Sequence, residues 1–211
     1  MVAEIERDVR VTATMTGRAA LDPRVMAAMG RVPRHRFVPA ALRHRAYDNQ
    51  PLPIGHEQTI SQPFIVALMS DLAEVGASDR VLEVGTGSAY QAAILAELAA
   101  RVYTIEIIAA LGRQAAALLR ELGYDNVATR IGDGYRGWPE AAPFDAIVVT
   151  AAPEKIPQPL IDQLAPGGRL VTPVGPVGGE QALVVLRKDA DGSTVMRTVI
   201  AVRFVPLTRE R

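Results

Sequence analysis

The spacing of apolar positions changes near residue 80. Before that point apolar residues recur at helical intervals, as with Val25, Met26 and Met29, and residues 1–50 read as short helices broken between Pro33 and Pro39. The stretch NQPLPIGHEQTIS (49–61) is punctuated too densely by Pro51, Pro53 and Gly55 for a regular element, and predicts a loop. Loops that long inside compact domains are usually functional or mobile. A helix should follow, with Ser61 as N-cap, Pro63 in its first turn, and Phe64, Ile65, Leu68, Met69 and Leu72 on its buried face.

From residue 80 onward short apolar runs alternate with amphipathic ones. RVLEVG (80–85), RVYTIEI (101–107), VATRIGD (127–133), FDAIVVTAA (144–152) and RLVTPVG (169–175) read as strands. YQAAILAELAA (90–100), a segment ending near Gly123, and the PQPLIDQLAPGG run with its glycine stop read as the helices between them. QALVVLR and TVMRTVIAVRFVPL then form an antiparallel closing pair. The pattern predicts an α/β fold: a doubly wound, mostly parallel, Rossmann-like sheet over residues 79–211, preceded by a helical extension over 1–78.

Composition narrows the chemistry. The chain has 211 residues, enough to bury a core unaided, and no cysteine, which excludes disulfide scaffolds, thiolate-held metals and thiol nucleophiles. Three histidines without HExxH or His-x-His spacing leave no metal motif. Twenty-three basic side chains balance twenty-three acidic ones, so neither nucleic acid nor an anionic membrane is an expected partner. The local excess over 18–45, seven arginines against Asp22, reads as a solvated helical surface that includes Arg34 and Arg36. MVAEIERDVR lacks the apolar centre of a signal peptide and no apolar run reaches membrane-spanning length, so a cytoplasmic protein, taken as monomeric, is expected.

The loop after the first strand of the sheet, EVGTGSAY, carries Gly85-x-Gly87 but has Tyr90 where a dinucleotide fingerprint needs a third glycine. It also lacks a GK[ST] phosphate loop, so a nucleoside without a phosphate suits it best. Glu106 ends the second strand, 21 residues beyond Gly85 (106 − 85), the spacing at which a carboxylate accepts from ribose hydroxyls. Asp133, between Gly132 and Gly134, ends the third strand and could accept from an adenine amino group. Glu83 lies just ahead of the glycine turn. Any one of these acids could be merely a cap or turn former. Together at three strand ends they point to S-adenosylmethionine.

The chain resembles the protein-L-isoaspartate O-methyltransferases, a family of class I methyltransferases. The likeness spans nearly the whole chain, through RVPRHRFVP (31–39), PLPIGHEQTISQP (51–63), VLEVGTGSAYQAAILA (81–96), GDGYRGWPEAAPFDAIVVTAAPEKIPQPLIDQL (132–164), GGRLVTPVG (167–175) and VRFVPL (202–207). It implies methyl transfer from S-adenosylmethionine, leaving S-adenosylhomocysteine, to the free α-carboxylate of L-isoaspartyl residues in damaged proteins and peptides. The ester then collapses through a succinimide without further enzymatic help. It implies an active-site loop of Gln58, Thr59, Ile60 and Ser61, with Ser61 as the functional hydroxyl. Ile54 through His56 would line the same cleft, and the terminal segment with Val205 would close it. Around the cofactor it implies Glu83, Gly85, Thr86, Gly87, Ser88 and Tyr90, then Glu106, and Gly132, Asp133 and Gly134. The family usually has glycine where this chain has Glu57 and Ala89, and Glu57 would place an extra anion near a carboxylate substrate.

The reaction implied needs little. A carboxylate is ionised at neutral pH, so no base, metal or covalent intermediate is required and positioning carries the rate. Ser61 has two readings, N-cap and substrate donor, which one oxygen does not easily combine. Tyr90 either stacks near the cofactor or packs at the helix start, and Trp138 and Phe144 read as core. His35 and His44 read as surface residues. The rival readings are a relative that methylates a different carboxylate, and a module that binds S-adenosylmethionine without transferring its methyl group.

Overall fold

The computed structural model describes residues 1–209. Its centre is a seven-stranded sheet built from β3 (Arg80–Val84), β4 (Arg101–Glu106), β5 (Val127–Ile131), β6 (Phe144–Val149), β7 (Leu164–Val174), β8 (Gln181–Lys188) and β9 (Thr194–Val202). The order is β5-β4-β3-β6-β7-β8-β9. The first five of these are parallel to their neighbours, and β8 and β9 add antiparallel at one edge. This is the expected α/β arrangement with its antiparallel closing pair.

Alternation along each strand sorts the apolar side chains into two cores. Val81 of β3 with Ala146 and Val148 of β6 face one side, while Leu82 and Val84 with Ile147 and Val149 face the other. The first side is thick. Helices α1 (Val2–Thr16), α2 (Pro23–Arg31), α3 (Pro63–Leu72), α4 (Tyr90–Ala96) and α5 (Ala109–Glu121) lie along the chain in this order, and their buried residues share that one cluster. The second side is covered thinly, by α6 (Gln158–Asp162) and the turn carrying Ala141. Phe144 is fully buried there and Trp138 packs against it through Tyr103, so both are packing residues as expected.

Four expectations need correction. Residues 52–60 are not an irregular loop but a hairpin, β1 (Leu52–Gly55) paired with β2 (Gln58–Ile60). Its two-residue turn holds His56 and Glu57 at φ 51° and 58°, the primed-turn geometry whose twist suits a hairpin. The prolines survive because β1 has only one partner and its outer edge needs no N–H donor. The last crossover helix is only five residues long, since LAPGG enters β7 instead of ending a helix. The N-cap of α3 is Gln62, not Ser61. Arg34, expected in solvent, has no exposed surface.

The other arginines of the basic stretch stay near the surface but most are neutralised. Arg18 pairs with Asp71 at 2.9 Å, Arg31 with Glu97 at 2.8 Å and Arg36 with Glu121 at 2.5 Å. The last two tie the extension to later segments, and the first closes within it. The Arg31 and Arg36 pairs, exposed to solvent, contribute little stability, on the order of 0–1 kcal/mol each. Among the described residues no helix is long and apolar enough to cross a membrane.

One acid lies inside the sheet. Glu83 is fully buried on β3, accepts a hydrogen bond from the Thr104 hydroxyl on β4, and leaves Oε1 without a partner. Burial raises its pKa to about 8, so it is held protonated at neutral pH. Its proton is bound more tightly folded than unfolded, so its contribution to stability is greatest below the unfolded pKa of 4.5 and declines as pH rises toward 8. Urea unfolding at several pH values should show stability falling across that window. Glu83→Gln, which cannot ionise, should flatten this slope; an unchanged slope would mean that Glu83 is not the group responsible.

Candidate active site

The strand order reverses between β3 and β6, and the carboxyl ends of those strands and of β4 open onto a common space. The glycine turn after β3 is folded over the end of β4. Gly85 and Thr86 N–H donate to the Ile105 carbonyl at 2.8 and 3.1 Å. Gly87 N–H donates to Glu106 Oε2 at 2.7 Å, and Ile108 N–H to Glu106 Oε1 at 2.9 Å. A carboxylate has roughly four acceptor positions. Glu106 therefore clamps the turn with one bond per oxygen and retains acceptor capacity toward the cavity it lines, which suits a ribose diol.

Close approach dictates two glycines here. Gly85, at φ 99°, would place a Cβ 2.4 Å from Thr150 Oγ1, and Gly134 would place one 2.4 Å from Val84 Cγ1. Thr150, at the end of β6, donates through its hydroxyl to the Gly85 and Val84 carbonyls and so locks β3 to β6 at the point of reversal. Beneath the turn Glu83 connects through Thr104 to Thr86, whose hydroxyls are 2.6 Å apart. The turn is thus supported from below by a buried acid–hydroxyl chain.

Two cavities meet at this point. The first is lined by Val84, Gly85, Gly87, Glu106, Ile107, Ile108 and Gly134, and is closed by the segment Val205–Thr208. That segment is strapped down by Ala152 N–H to the Val205 carbonyl at 2.8 Å and Leu207 N–H to the Ala152 carbonyl at 2.9 Å. The second, of about 490 Å³, is lined by Pro51, Ser61, Gln62, Ile65, Arg203 and Phe204 among others. Thr59, Thr150 and Val205 belong to both. An acyclic segment of a polypeptide placed in the second cavity would face a nucleoside in the first across this shared wall.

The cap question over Ser61 has a structural answer. The Phe64 N–H in the first turn of α3 is taken by Asn49 Oδ1 at 3.0 Å, and Asn49 is in turn held by its Nδ2 donating to Asp8 at 2.7 Å. Capping is done from a remote segment, and the Ser61 hydroxyl remains beside the cleft. Gln58 lines the first cavity with Thr59. His56 and Glu57 are exposed at the hairpin tip and line neither cavity, so the extra anion sits away from the cleft. Ile54 reaches the outer side of the turn, 3.5 Å from where a Cβ on Gly87 would stand, in a third recess with Ser88. Both departures from glycine, Glu57 and Ala89, fall at left-handed backbone positions, with φ 58° and 71°. Glycine enters that region at no steric cost, whereas a Cβ there costs about 1–2 kcal/mol.

The remaining residues divide by role. Tyr90 is 1% exposed and packs edge-on against Phe37, at a helix start rather than open to a ligand stack. Ser88 Oγ accepts from the Tyr90 N–H at 3.3 Å. Gly132 joins the Glu106 carbonyl through its N–H at 3.0 Å, and Asp133 Oδ1 accepts from the Tyr135 N–H at 2.9 Å as the cap of a short turn. Asp133 lines neither cavity, though its neighbour Gly134 does. Sequence reasoning missed Thr150, Asn49 and Arg34. Thr150 alone had a usable signal, being at a strand end beside the reversal.

Comparison with known proteins agrees with this geometry. The family model for protein-L-isoaspartate(D-aspartate) O-methyltransferase matches residues 10–211. A protein-L-isoaspartate O-methyltransferase 2 of Syntrophobacter fumaroxidans is 62% identical over 208 residues, covering 99% of this chain and 84% of the relative. Its counterpart in Polaromonas is 61% identical over 211 residues, covering 100% of both. A solved structure named protein-L-isoaspartate O-methyltransferase superposes with a TM-score of 0.82 at 26% identity, covering 98% of this chain and 65% of that longer one. A Plasmodium falciparum structure described as the same type of enzyme in complex with S-adenosyl-L-homocysteine shares the fold, with a TM-score of 0.78 at 22% identity and 98% coverage of both chains. The chain belongs to the protein-L-isoaspartate(D-aspartate) O-methyltransferase family.

Proposed function

We propose that this chain transfers a methyl group from S-adenosylmethionine to the free α-carboxylate of L-isoaspartyl residues in damaged proteins. The observation that carries the reading is the shared wall of Thr59, Thr150 and Val205, which sets the wide cleft beside Ser61 against the cavity at the glycine turn and Glu106. Residues 79–211 would hold the cofactor, and residues 1–78 would bring the hydroxyl-bearing loop to it. The proposal includes a cytoplasmic location and a monomeric state.

S-adenosylmethionine, when bound, supplies a methyl group already activated on a sulfonium. Glu106 would accept from its ribose hydroxyls while holding the Gly87 and Ile108 amides. Gly85 and Gly87 let the backbone approach the ligand closely. Asp133 would bear on the adenine side, with one oxygen already committed to Tyr135. On the substrate side Ser61, released from capping by Asn49, would donate to one carboxylate oxygen while the other accepts the methyl group. Because the nucleophile is ionised already, no protein group need take a proton. The products are a methyl ester and S-adenosylhomocysteine. The residues' task is alignment and exclusion of water, worth up to roughly 7–11 kcal/mol in well-oriented systems.

The direct experiment supplies methyl-labelled S-adenosylmethionine with paired peptides that differ only in aspartyl or isoaspartyl linkage. Base-labile label should appear on the isoaspartyl peptide alone. Equal labelling of both, or of neither, overturns the assignment.

Removal of the ribose acceptor tests the cofactor side. Glu106→Ala should weaken S-adenosylhomocysteine binding roughly 10- to 100-fold, the loss of charge-assisted hydrogen bonds, as measured by calorimetry on the folded variant. Unchanged affinity would place the nucleoside elsewhere.

Ser61→Ala should lower kcat/KM roughly 10- to 1000-fold with cofactor affinity nearly unchanged, as for a preorganised donor removed from the reacting group. His56→Ala, at the hairpin tip, should cost far less, and the rate should stay flat between about pH 6 and 8, where histidine titrates. A histidine-like titration that disappears in His56→Ala would establish a general base and end the base-free mechanism.

A further inference from the structure

Arg34 is buried completely, yet it has no acidic partner among the described residues. Its Nε donates to the Ala46 carbonyl at 2.8 Å and its Nη2 to the Ser61 carbonyl at 2.7 Å. Among the described residues Nη1 has no partner. The guanidinium carbon lies 4.7 Å from the centroid of the Tyr90 ring. Tyr90 is the first residue of α4, which leaves the glycine turn directly. One planar cation therefore touches the N-terminal extension, the peptide loop and the helix that carries the cofactor turn.

An uncompensated buried charge is costly, and a linear apolar side chain would fill the same volume without that penalty. Such a side chain would not hold two carbonyls at once. Nor would lysine, whose point charge lacks the fork that satisfies two acceptors while the plane covers an aromatic face. The arrangement is selective in what it grips: on the peptide loop it takes the carbonyl of the residue whose hydroxyl borders the cleft.

We propose that Arg34 is a positioning residue for methyl transfer, holding Ser61 from behind and registering its hydroxyl on the cofactor turn through Tyr90. The inference rests on the reading of Ser61 as the donor to the substrate carboxylate. Arg34 lines neither cavity; it acts through Ser61.

The test is a double-mutant cycle between Arg34→Lys and Ser61→Ala, with Arg34→Met as a second variant. For each protein kcat and KM on an isoaspartyl peptide, S-adenosylhomocysteine affinity and the melting temperature are measured, with kinetics well below melting. Arg34→Lys should lower kcat roughly 10-fold with KM and cofactor affinity within about 3-fold, because the fork is lost but the charge is kept. In the Ser61→Ala background the same change should cost less than about 2-fold, since the oxygen it registers is gone. Equal cost in both backgrounds overturns the proposal, as does a lower melting temperature with kcat unchanged. If Arg34→Met does not fold, the lysine cycle decides alone. If Ser61→Ala retains full activity, the reading of Ser61 falls and the proposal with it, whereas an impaired Ser61→Ala with additive costs removes the proposal only.

Discussion

The contact between Gly85 and Thr150 governs the rest of the molecule. The strands that carry these residues are neighbours, but the chain leaves them for opposite faces of the sheet, so no crossover covers their ends. Without a Cβ on residue 85, the Thr150 hydroxyl reaches the Gly85 carbonyl beyond the end of the ladder, and joins the Thr150 N–H on the Val84 carbonyl. The turn can then swing over β4, where the Glu106 carboxylate takes the next amide in line. A Cβ on residue 85 would stand 2.4 Å from the Thr150 hydroxyl and displace it from both carbonyls. The ligand sites are a by-product of how the sheet closes its own polar groups.

The two sides of the site are built with opposite logic. On the cofactor side, rigidity comes from backbone hydrogen bonds collected by one carboxylate and from a protonated acid sealed beneath. On the substrate side, the hairpin β1–β2 stands apart from the main sheet and pairs only with itself. Its position is fixed from outside: Asn49 takes over the capping of α3, and an arginine without a counter-ion holds the loop from below. The glycines and acids of the first are marked by their places at strand ends. The partners that fix the second carry no such mark.

That difference sets how much of the molecule was legible in the sequence. The five parallel strands, the glycine turn and the acid at the end of β4 follow from short apolar runs and spacing, which are local signals. The hairpin was hidden because its turn residues are histidine and glutamate, which seldom adopt left-handed geometry, and because prolines read as breakers when the exposed edge they occupy is unknown. Ser61 looked like a cap because nothing near it in the chain announces Asn49 as a substitute. Arg34 lies in a run of arginines whose other members are mostly paired at the surface, so its burial had no sequence signal. Thr150 was overlooked although a hydroxyl at a strand end beside the reversal is a recognisable position.

The strap formed by Val205–Leu207 over Ala152 has a consequence for how the protein is assembled. It joins the end of β6 to a segment that follows β8 and β9, with three strands of the sheet edge lying between the two in the chain. Loop-closure entropy makes such contacts form late, after the nearer pairings have shortened the effective loop. The parallel core can therefore be in place while the cofactor cavity still lacks its outer wall. Ligand retention then depends on the strap as well as on the core, and a chain whose strap had not docked would be compact but open on one side of the cavity.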